Sequence, residues 1–469
     1  MKPPRSQSGR GKTTAPAPSQ FRPVEFRPAE PQPAQLQRVE IEKPIYGGSF
    51  LARVEGKAVF VPLVLPGEQA LVRITQSRSG YATAEAERIV TAAPQRVQPL
   101  CPHFGVCGGC NYQHTDYPTQ LLFKQAILRE TLERGGVGRG GVAVPAEISV
   151  LSAEPDSKPW AYRNRIRLAL DAQGNPGYRG RRSHAVVPVS ECPIAAPLLV
   201  DSALTLAGLL PSVAPALRPT EIALFCNAEE TSLLLTVFTA TPEKQGFDEL
   251  ARALHERIPA LAGAELAVET RGGKQAPAPL RTIARWGATS LAYRAAGFDF
   301  RVDHGAFFQV NRWLVDQLVE RVTAGHCGAL AWDLYAGVGL FARSLTGGFA
   351  HVVAVESAPS ATKALGENLR GAPATAVKAS TLDFLARNRG QRPGLIVLDP
   401  PRTGLGAETC ALLAEIASPA LVCVSCDPAT LARDLRALVA SGYQIQSITL
   451  ADLFPHTFHL ETVVQLRHA

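Results

Sequence analysis

Short apolar runs open the patterned part of this chain, and longer ones close it. Between Val39 and Val90 the runs are brief (Ala58-Val59-Phe60-Val61-Pro62, Gln69 to Ile74, Tyr81 to Ala86). They are cut by Tyr46-Gly47-Gly48 and Pro66-Gly67-Glu68. Several short strands in so small a span predict a small β-barrel, an architecture often used for oligonucleotides. After Val302 the rhythm changes. A helical pattern from Asn311 to Thr323 is followed by apolar strands ending at Asp333, Glu356, Asp399 and Cys426, with helical patterns between them. That alternation predicts a parallel, doubly wound α/β sheet. From Cys101 to about residue 300 the signals are mixed: a helix from Leu121 to Glu133, strands at Arg165 to Leu170, Glu221 to Phe225 and Ser232 to Phe238, and loops at Gly135 to Gly141 and Gly272 to Pro279. The first 35 or so residues, rich in Pro, Gln, Ser and Ala, lack periodicity and are expected to be disordered.

A length of 469 residues allows several domains, and 46% hydrophobic content marks a globular chain. No apolar run reaches transmembrane length and no signal peptide is visible, so a soluble, cytoplasmic monomer is expected. The net charge of +7 permits a polyanionic partner. Its distribution adds more. Lys158, Arg163, Arg165, Arg167, Arg179, Arg181 and Arg182 stand against Asp171 alone, with Trp160, Tyr162 and Tyr178 interleaved. Arginine among aromatics is the chemistry of phosphate contact and base stacking, although a solvated basic face has the same composition. Nine cysteines in a chain of this kind suggest metal ligands or catalytic thiols rather than disulfides.

Four motifs carry the candidate chemistry. Cys101, Cys107 and Cys110 fall within ten residues, with Gly108-Gly109 between the last two and Cys192 as a candidate fourth ligand. Four thiolates suit zinc or an iron–sulfur cluster, and the wide first gap favours the cluster. Asp333-Leu334-Tyr335-Ala336-Gly337-Val338-Gly339 leads a strand into a glycine turn and a helix, and Glu356 ends the next strand. This is a nucleoside-cofactor pattern that does not separate S-adenosylmethionine from NAD. In Leu395-Ile396-Val397-Leu398-Asp399-Pro400-Pro401 two prolines fix the exit of a carboxylate-ended strand. Ser425-Cys426-Asp427-Pro428 sets a cysteine between an apolar strand and a helix N-terminus, whose dipole favours thiolate. Glu461 opens the apolar terminal strand, as a solvated edge residue or as a buried base with a raised pKa.

In this order, the motifs resemble those of the RNA 5-methyluridine methyltransferases, closest to the ribosomal RNA members that carry a TRAM domain and an iron–sulfur cluster. The resemblance implies four parts: a tail (1–37), a TRAM RNA-binding barrel (38–93), a mixed α+β central domain (94–300) and a Rossmann-like S-adenosylmethionine methyltransferase domain (301–469). It implies a [4Fe–4S] cluster on Cys101, Cys107, Cys110 and Cys192. It puts Gln309, in Phe307-Phe308-Gln309-Val310-Asn311, with Tyr335, Gly337, Gly339, Glu356 and Asp399 on cofactor positions, Cys426 on the nucleophile and Glu461 on the base. Leu340 replaces a frequent Asn, and the residue facing the adenine is Asp383 or Ser380. The implied substrate is a uridine in 23S ribosomal RNA or in transfer RNA. The implied cofactor is S-adenosylmethionine. The chemistry is addition of Cys426 to C6, methylation at C5 and proton removal by Glu461, with the target base drawn out of its stack. Two readings from other classes remain: an NAD-dependent oxidoreductase, and an RNA-binding protein without catalysis.

Overall fold

The computed structural model describes residues 36–137, 144–153, 159–269 and 280–468. The expected tail, Lys158, the loop at 272–279 and part of that at 135–141 lie outside them. Five strands come first: β1 (Gln37–Ile45), β2 (Ser49–Val54), β3 (Lys57–Pro62), β4 (Gln69–Ser77) and β5 (Tyr81–Thr91). They close into a barrel in the order β1-β2-β3-β5-β4. Alternation sends Val39, Ile41, Phe50, Val59, Val61, Ala70 and Val72 into its core, which is how so short a sheet buries enough apolar surface to fold.

Helix α1 (Tyr117–Arg134) and the short strand β6 (Ser149–Leu151) follow. Asp116 caps α1 by accepting from Thr119 N at 2.8 Å. The next block contains β7 (Arg165–Leu170), β8 (Pro176–Arg179), β9 (Val186–Pro188), α2 (Pro197–Val213), β10 (Pro219–Cys226), β11 (Leu233–Thr239), α3 (Phe247–Arg257), β12 (Leu261–Glu269) and β13 (Leu280–Gly287). Its strands form a seven-stranded sheet ordered β13-β12-β11-β10-β7-β8-β9. One face, with Ile166, Leu168, Ile222, Leu224 and Leu235, packs under α2 and α3. The ribbon β14 (Ser290–Ala295) and β15 (Phe298–Asp303) leads onward.

The last block is α4 (Val315–Thr323), β16 (Gly328–Leu334), α5 (Leu340–Leu345), β17 (Phe349–Glu356), α6 (Pro359–Asn368), β18 (Ala374–Lys378), α7 (Thr381–Arg387), β19 (Leu395–Leu398), α8 (Ala407–Ile416), β20 (Ala420–Ser425), α9 (Pro428–Ala440), β21 (Tyr443–Ala451) and β22 (Glu461–His468). Its sheet runs β18-β17-β16-β19-β20-β22-β21-β6. The first five strands are parallel, and β22 enters antiparallel between β20 and β21.

Two features differ from the expectation. The helix expected from Asn311 starts at Val315, because the Asn311 side chain accepts from Trp313 N and Leu314 N and turns the chain first. And α1 and β6, which precede the central sheet in the chain, belong physically to the last sheet. Strand β6 pairs with β21, while Ile127, Leu128, Leu132 and Ile148 share a core with Leu435 and Leu450. Among the described residues, no helix is long and apolar enough to cross a membrane.

Candidate active site and cysteine cavity

The parallel strands deliver their carboxyl ends to one crevice. After β16 the chain turns sharply: Tyr335 sits at φ +64°, Gly337 at +55° and Gly339 at +95°. At φ +95° Gly339 holds a backbone state that L side chains rarely adopt, and a Cβ there would also press on Leu365 Cδ1 at 2.7 Å, so glycine is strongly favoured. Glu356 anchors this turn. One carboxylate oxygen accepts from Gly337 N at 2.9 Å, the other from Ser357 N and Ala358 N at 2.7 Å each. Beneath it, buried Asp333 accepts from Ala342 N at 2.8 Å. Burial pushes the Asp333 carboxyl up to about 8, with the charges of Asp399 and Glu356 adding to the shift. The half-buried Tyr335 hydroxyl engages Thr381 and Thr409, and burial raises its pKa. Ser380 and Asp383 answer each other at the start of α7. Ser380 Oγ donates to Asp383 Oδ2 at 2.7 Å and accepts from Asp383 N at 3.1 Å, which leaves Asp383 exposed in the first turn. Gln309 is buried, and its carbonyl accepts from Asn164 Nδ2 at 2.9 Å. Phe307, two residues earlier, is 62% exposed.

Cys426 and Glu461 meet through sheet register. In the β20–β22 pair Cys423 faces Val464, Val424 faces Val463 and Ser425 faces Thr462. The ladder ends there, with Cys426 and Glu461 as the next residue of each strand, and the Glu461 charge acts on the Cys426 thiol. Glu461 is 5% exposed, and its Oε1 has no hydrogen-bond partner among the described residues. Burial drives its carboxyl well above the usual range, the Asp399 charge adds to the effect, and Arg402 opposes it. Glu461 is therefore a buried acid, not the solvated edge residue that the sequence also allowed.

The Cys426 thiol is half-buried and pushed up to about 11, first by burial and then by Glu461, with Arg402 pulling it back. The helix N-terminus does not lower it as expected. Asp427 caps α9 by accepting from Ala429 N and Thr430 N, each at 3.0 Å, so the free amides are already answered. Asp399 is raised to about 7 by burial. The crevice thus gathers Asp399, Cys426 and Glu461 with the guanidinium of Arg402, which also lies 3.1 Å from His459 Nδ1. Arg402 was not singled out from the sequence, since an exposed arginine after Pro-Pro carries no periodic signal. Nor was Tyr46. From the turn after β1, its hydroxyl donates to Asp427 at 3.4 Å, and its ring meets Phe458 edge-on with centroids 5.6 Å apart.

Cys101, Cys107, Cys110 and Cys192 line a single cavity of about 240 Å³, together with Arg163 and His459. All four are free thiols. Burial pushes Cys110 up to about 12 and raises Cys101 and Cys107. Among the described residues no three His, Cys, Asp or Glu side chains come close enough to hold a single metal ion. The loop carrying these cysteines is tied to the segment before Glu461. Asn111 N and Tyr112 N donate to His456 O at 2.9 and 3.0 Å, and Phe458 N donates to Asn111 Oδ1 at 3.3 Å.

Residues 391–469 match the tRNA (Uracil-5-)-methyltransferase family, and residues 32–86 match the TRAM domain. A Streptomyces avermitilis protein described as an uncharacterized RNA methyltransferase is 32% identical, over 92% of this chain and 98% of its own. The 23S rRNA (uracil(1939)-C(5))-methyltransferase RlmD of Klebsiella pneumoniae is 32% identical, over 89% of this chain and 92% of its own. In fold, the chain is similar to the Pyrococcus abyssi tRNA (uracil-54, C5)-methyltransferase solved with S-adenosyl-L-homocysteine: TM-score 0.73, 23% identity, 91% of this chain and 99% of that one. Likeness that runs through barrel, central sheet and catalytic sheet alike places this chain in the family of S-adenosylmethionine-dependent RNA (uracil-5-)-methyltransferases.

Proposed function

We propose that this enzyme methylates C5 of one uridine in 23S ribosomal RNA through a covalent bond between Cys426 and uridine C6. The observation that supports the reading is the end of the β20–β22 ladder, just past which Cys426 follows Ser425 and the buried Glu461 precedes Thr462, with the Glu461 charge acting on the thiol. The likeness to RlmD supports the choice of RNA.

Uracil C5 is a poor nucleophile. Addition of the Cys426 thiolate to C6 forms the S–C6 bond and moves the C5=C6 electron pair into an enolate over C5, C4 and O4. C5 becomes nucleophilic. S-adenosylmethionine, when bound, supplies the methyl group as an electrophile and leaves as S-adenosylhomocysteine. Glu461 then takes the proton from C5, the C5=C6 bond re-forms, and the thiolate departs with the S–C6 electron pair. Both Cys426 and Glu461 are biased toward their protonated forms by burial, so each must lose its proton first. Arg402, which favours the charged form of both, is assigned the task of holding them ionised as substrate enters. Gln309, Tyr335, Gly337, Gly339, Glu356, Asp383 and Asp399 are assigned to the cofactor. The positive φ at both glycines lets the backbone come close to it.

The four cysteines are assigned to a [4Fe–4S] cluster, since four thiols lining one cavity of about 240 Å³ are the donor set that such a group takes. Bound there, the cluster would cross-link the 101–110 loop to Cys192. Methyl transfer is redox-neutral and needs no electron from it. In this division of labour residues 38–93 hold RNA, 94–300 house the cluster and 301–469 transfer the methyl group.

RNA carrying 5-fluorouridine tests the mechanism, because fluorine cannot leave as a proton. The parent enzyme should be trapped on it covalently, and the Cys426→Ala variant should not. Mapping 5-methyluridine in total RNA with and without the gene tests the substrate. Loss confined to transfer RNA would overturn the ribosomal assignment.

A further inference from the structure

The central sheet has a second face, turned away from α2 and α3, which the β14–β15 ribbon covers only in part. A cavity of about 780 Å³ lies over it, walled by the end of the β15 ribbon and the first turns of α6. This is the size range of built ligand sites. Its charges do not balance. Glu265 is answered by Arg285, and Asp303 by Arg301. Arg165 and Lys363 have no acidic partner among the described residues. Arg165 lies with its guanidinium carbon 4.3 Å from the centroid of the Phe225 ring, and its buried Nε makes no hydrogen bond. His304 is similar. Its side chain is 6% exposed, Nδ1 lies 3.1 Å from Thr236 Oγ1 and 4.0 Å from the Glu265 carboxylate, the ring also engages the Ala288 backbone, and the buried Nε2 has no hydrogen-bond partner among the described residues. Burial lowers its pKa to about 4, so the ring is neutral at physiological pH and can meet an uncharged polar edge. Folding alone gives no reason for an arginine without an acidic partner and a buried imidazole nitrogen without a hydrogen bond in one cavity, because a buried polar atom left without a partner costs stability.

The cavity also adjoins the catalytic crevice. Phe225 packs on Phe308, the residue before Gln309, and α6 begins three positions after Glu356. From this geometry we infer that the cleft binds a nucleotide of the RNA strand flanking the target uridine, its phosphate on Arg165 and Lys363 and its base edge on His304 and Thr236. A target base drawn out of its stack leaves neighbours that need a seat of their own. The inference rests on the enzyme acting on RNA, not on which uridine it methylates.

The test measures binding of a fluorescent, mixed-sequence single-stranded RNA to the full-length enzyme and to Arg165→Met and Lys363→Met. Each variant should bind roughly tenfold more weakly, the scale of one hydrogen bond to a charged group. The slope of log affinity against log salt should flatten by about 0.7 per lost phosphate contact. S-adenosylhomocysteine affinity should be unchanged. Arg165→Met should melt no lower than the parent, because it removes a partly buried charge that has no acidic partner among the described residues and keeps apolar contact with Phe225; an arginine with a purely structural role would melt lower on loss. Parent-like RNA affinity and salt slope in both variants would overturn the inference, as would a drop in the melting temperature of Arg165→Met with RNA binding retained. The readout is binding, so an enzyme that methylated no uridine would sink the proposed reaction and leave this test intact.

Discussion

The molecule holds thiols in two settings. At Cys426 a single thiol stands among carboxyls and is pushed up to about 11. At the 240 Å³ cavity four thiols face each other, with Arg163 and His459 on the wall. Burial disfavours thiolate at Cys426 and at Cys101, Cys107 and Cys110, and the two settings differ in what could restore it. At Cys426 the Arg402 charge opposes the effect of burial, and the proposed mechanism requires the thiol to ionise for each turnover. The four-cysteine site has no need to turn over, and a metal cluster would fix its thiolates once. On the proposed reading one site bonds reversibly and the other permanently, although the residue type is the same.

The largest effect that separates them is removal of the lone thiol. Cys426→Ala should lower methylation by on the order of 10⁴-fold or more, because the reaction loses its covalent route. Binding of S-adenosylhomocysteine should persist. Glu461→Gln should differ in kind, accumulating protein–RNA adduct on ordinary uridine RNA, seen as a shifted band in denaturing gels. If it turned over without adduct, another group would be the base.

Next in size is the four-cysteine site. Cys107→Ser should lose the visible absorbance of the cluster and lower methylation roughly tenfold to a hundredfold, the scale of a misplacement near 1 Å. The path is physical: Asn111 and Tyr112, just past Cys110, hold the carbonyl of His456, five residues before Glu461. Proteolysis within the 452–460 segment should quicken in the same variant. Full activity in a folded, cluster-free protein would sever the two sites.

The comparison also marks what was legible in the chain. Four of the parallel strands were visible, their ends falling at Glu356 and within one residue of Asp333, Asp399 and Cys426, because buried parallel strands write themselves as continuous apolar runs. The barrel was visible through its turns. The cysteines could be grouped by spacing, but their shared cavity depends on Cys192 arriving from after β9. The partnership of Cys426 and Glu461 was hidden in local pattern. It arises only when β22 inserts antiparallel beside β20, a pairing set by the whole sheet. Strand β6 has three residues and no periodic signature, so its place on the far edge of the catalytic sheet could not be read. The mutual bond of Ser380 and Asp383 shows why neither stood out as the adenine neighbour, since both serve the start of α7.

A smaller effect tests how far charge governs the lone thiol. The Cys426 pKa lies near 11, so its alkylation by iodoacetamide, followed on the Cys426 peptide, should rise about tenfold per pH unit from neutrality toward that value. The sign follows from thiolate being the reactive form, its fraction growing as pH approaches the pKa from below. Arg402→Met should shift the curve to higher pH and slow alkylation at pH 8 by up to about fivefold, the limit for an exposed charge worth about 1 kcal/mol. A shift to lower pH would remove Arg402 from its assigned role.

The smallest effect asks whether the barrel belongs to the catalytic site at all. Tyr46 comes from the barrel, yet its hydroxyl reaches Asp427, the neighbour of Cys426, and its ring packs on Phe458 in the segment that leads to Glu461. Burial and the Asp427 charge push the phenol up to about 12, so it remains a donor across the working pH range. Its bond is long at 3.4 Å, and Tyr46→Phe should cost only about twofold in kcat, the low end for one hydrogen bond. Tyr46→Ala also removes the ring and should cost more, with RNA affinity nearly unchanged. If both variants lowered RNA affinity and left kcat at saturating RNA untouched, Tyr46 would be part of the RNA grip alone, and the barrel would stand outside the chemistry. A loss in kcat makes the barrel a third wall of the crevice, carried there by one turn.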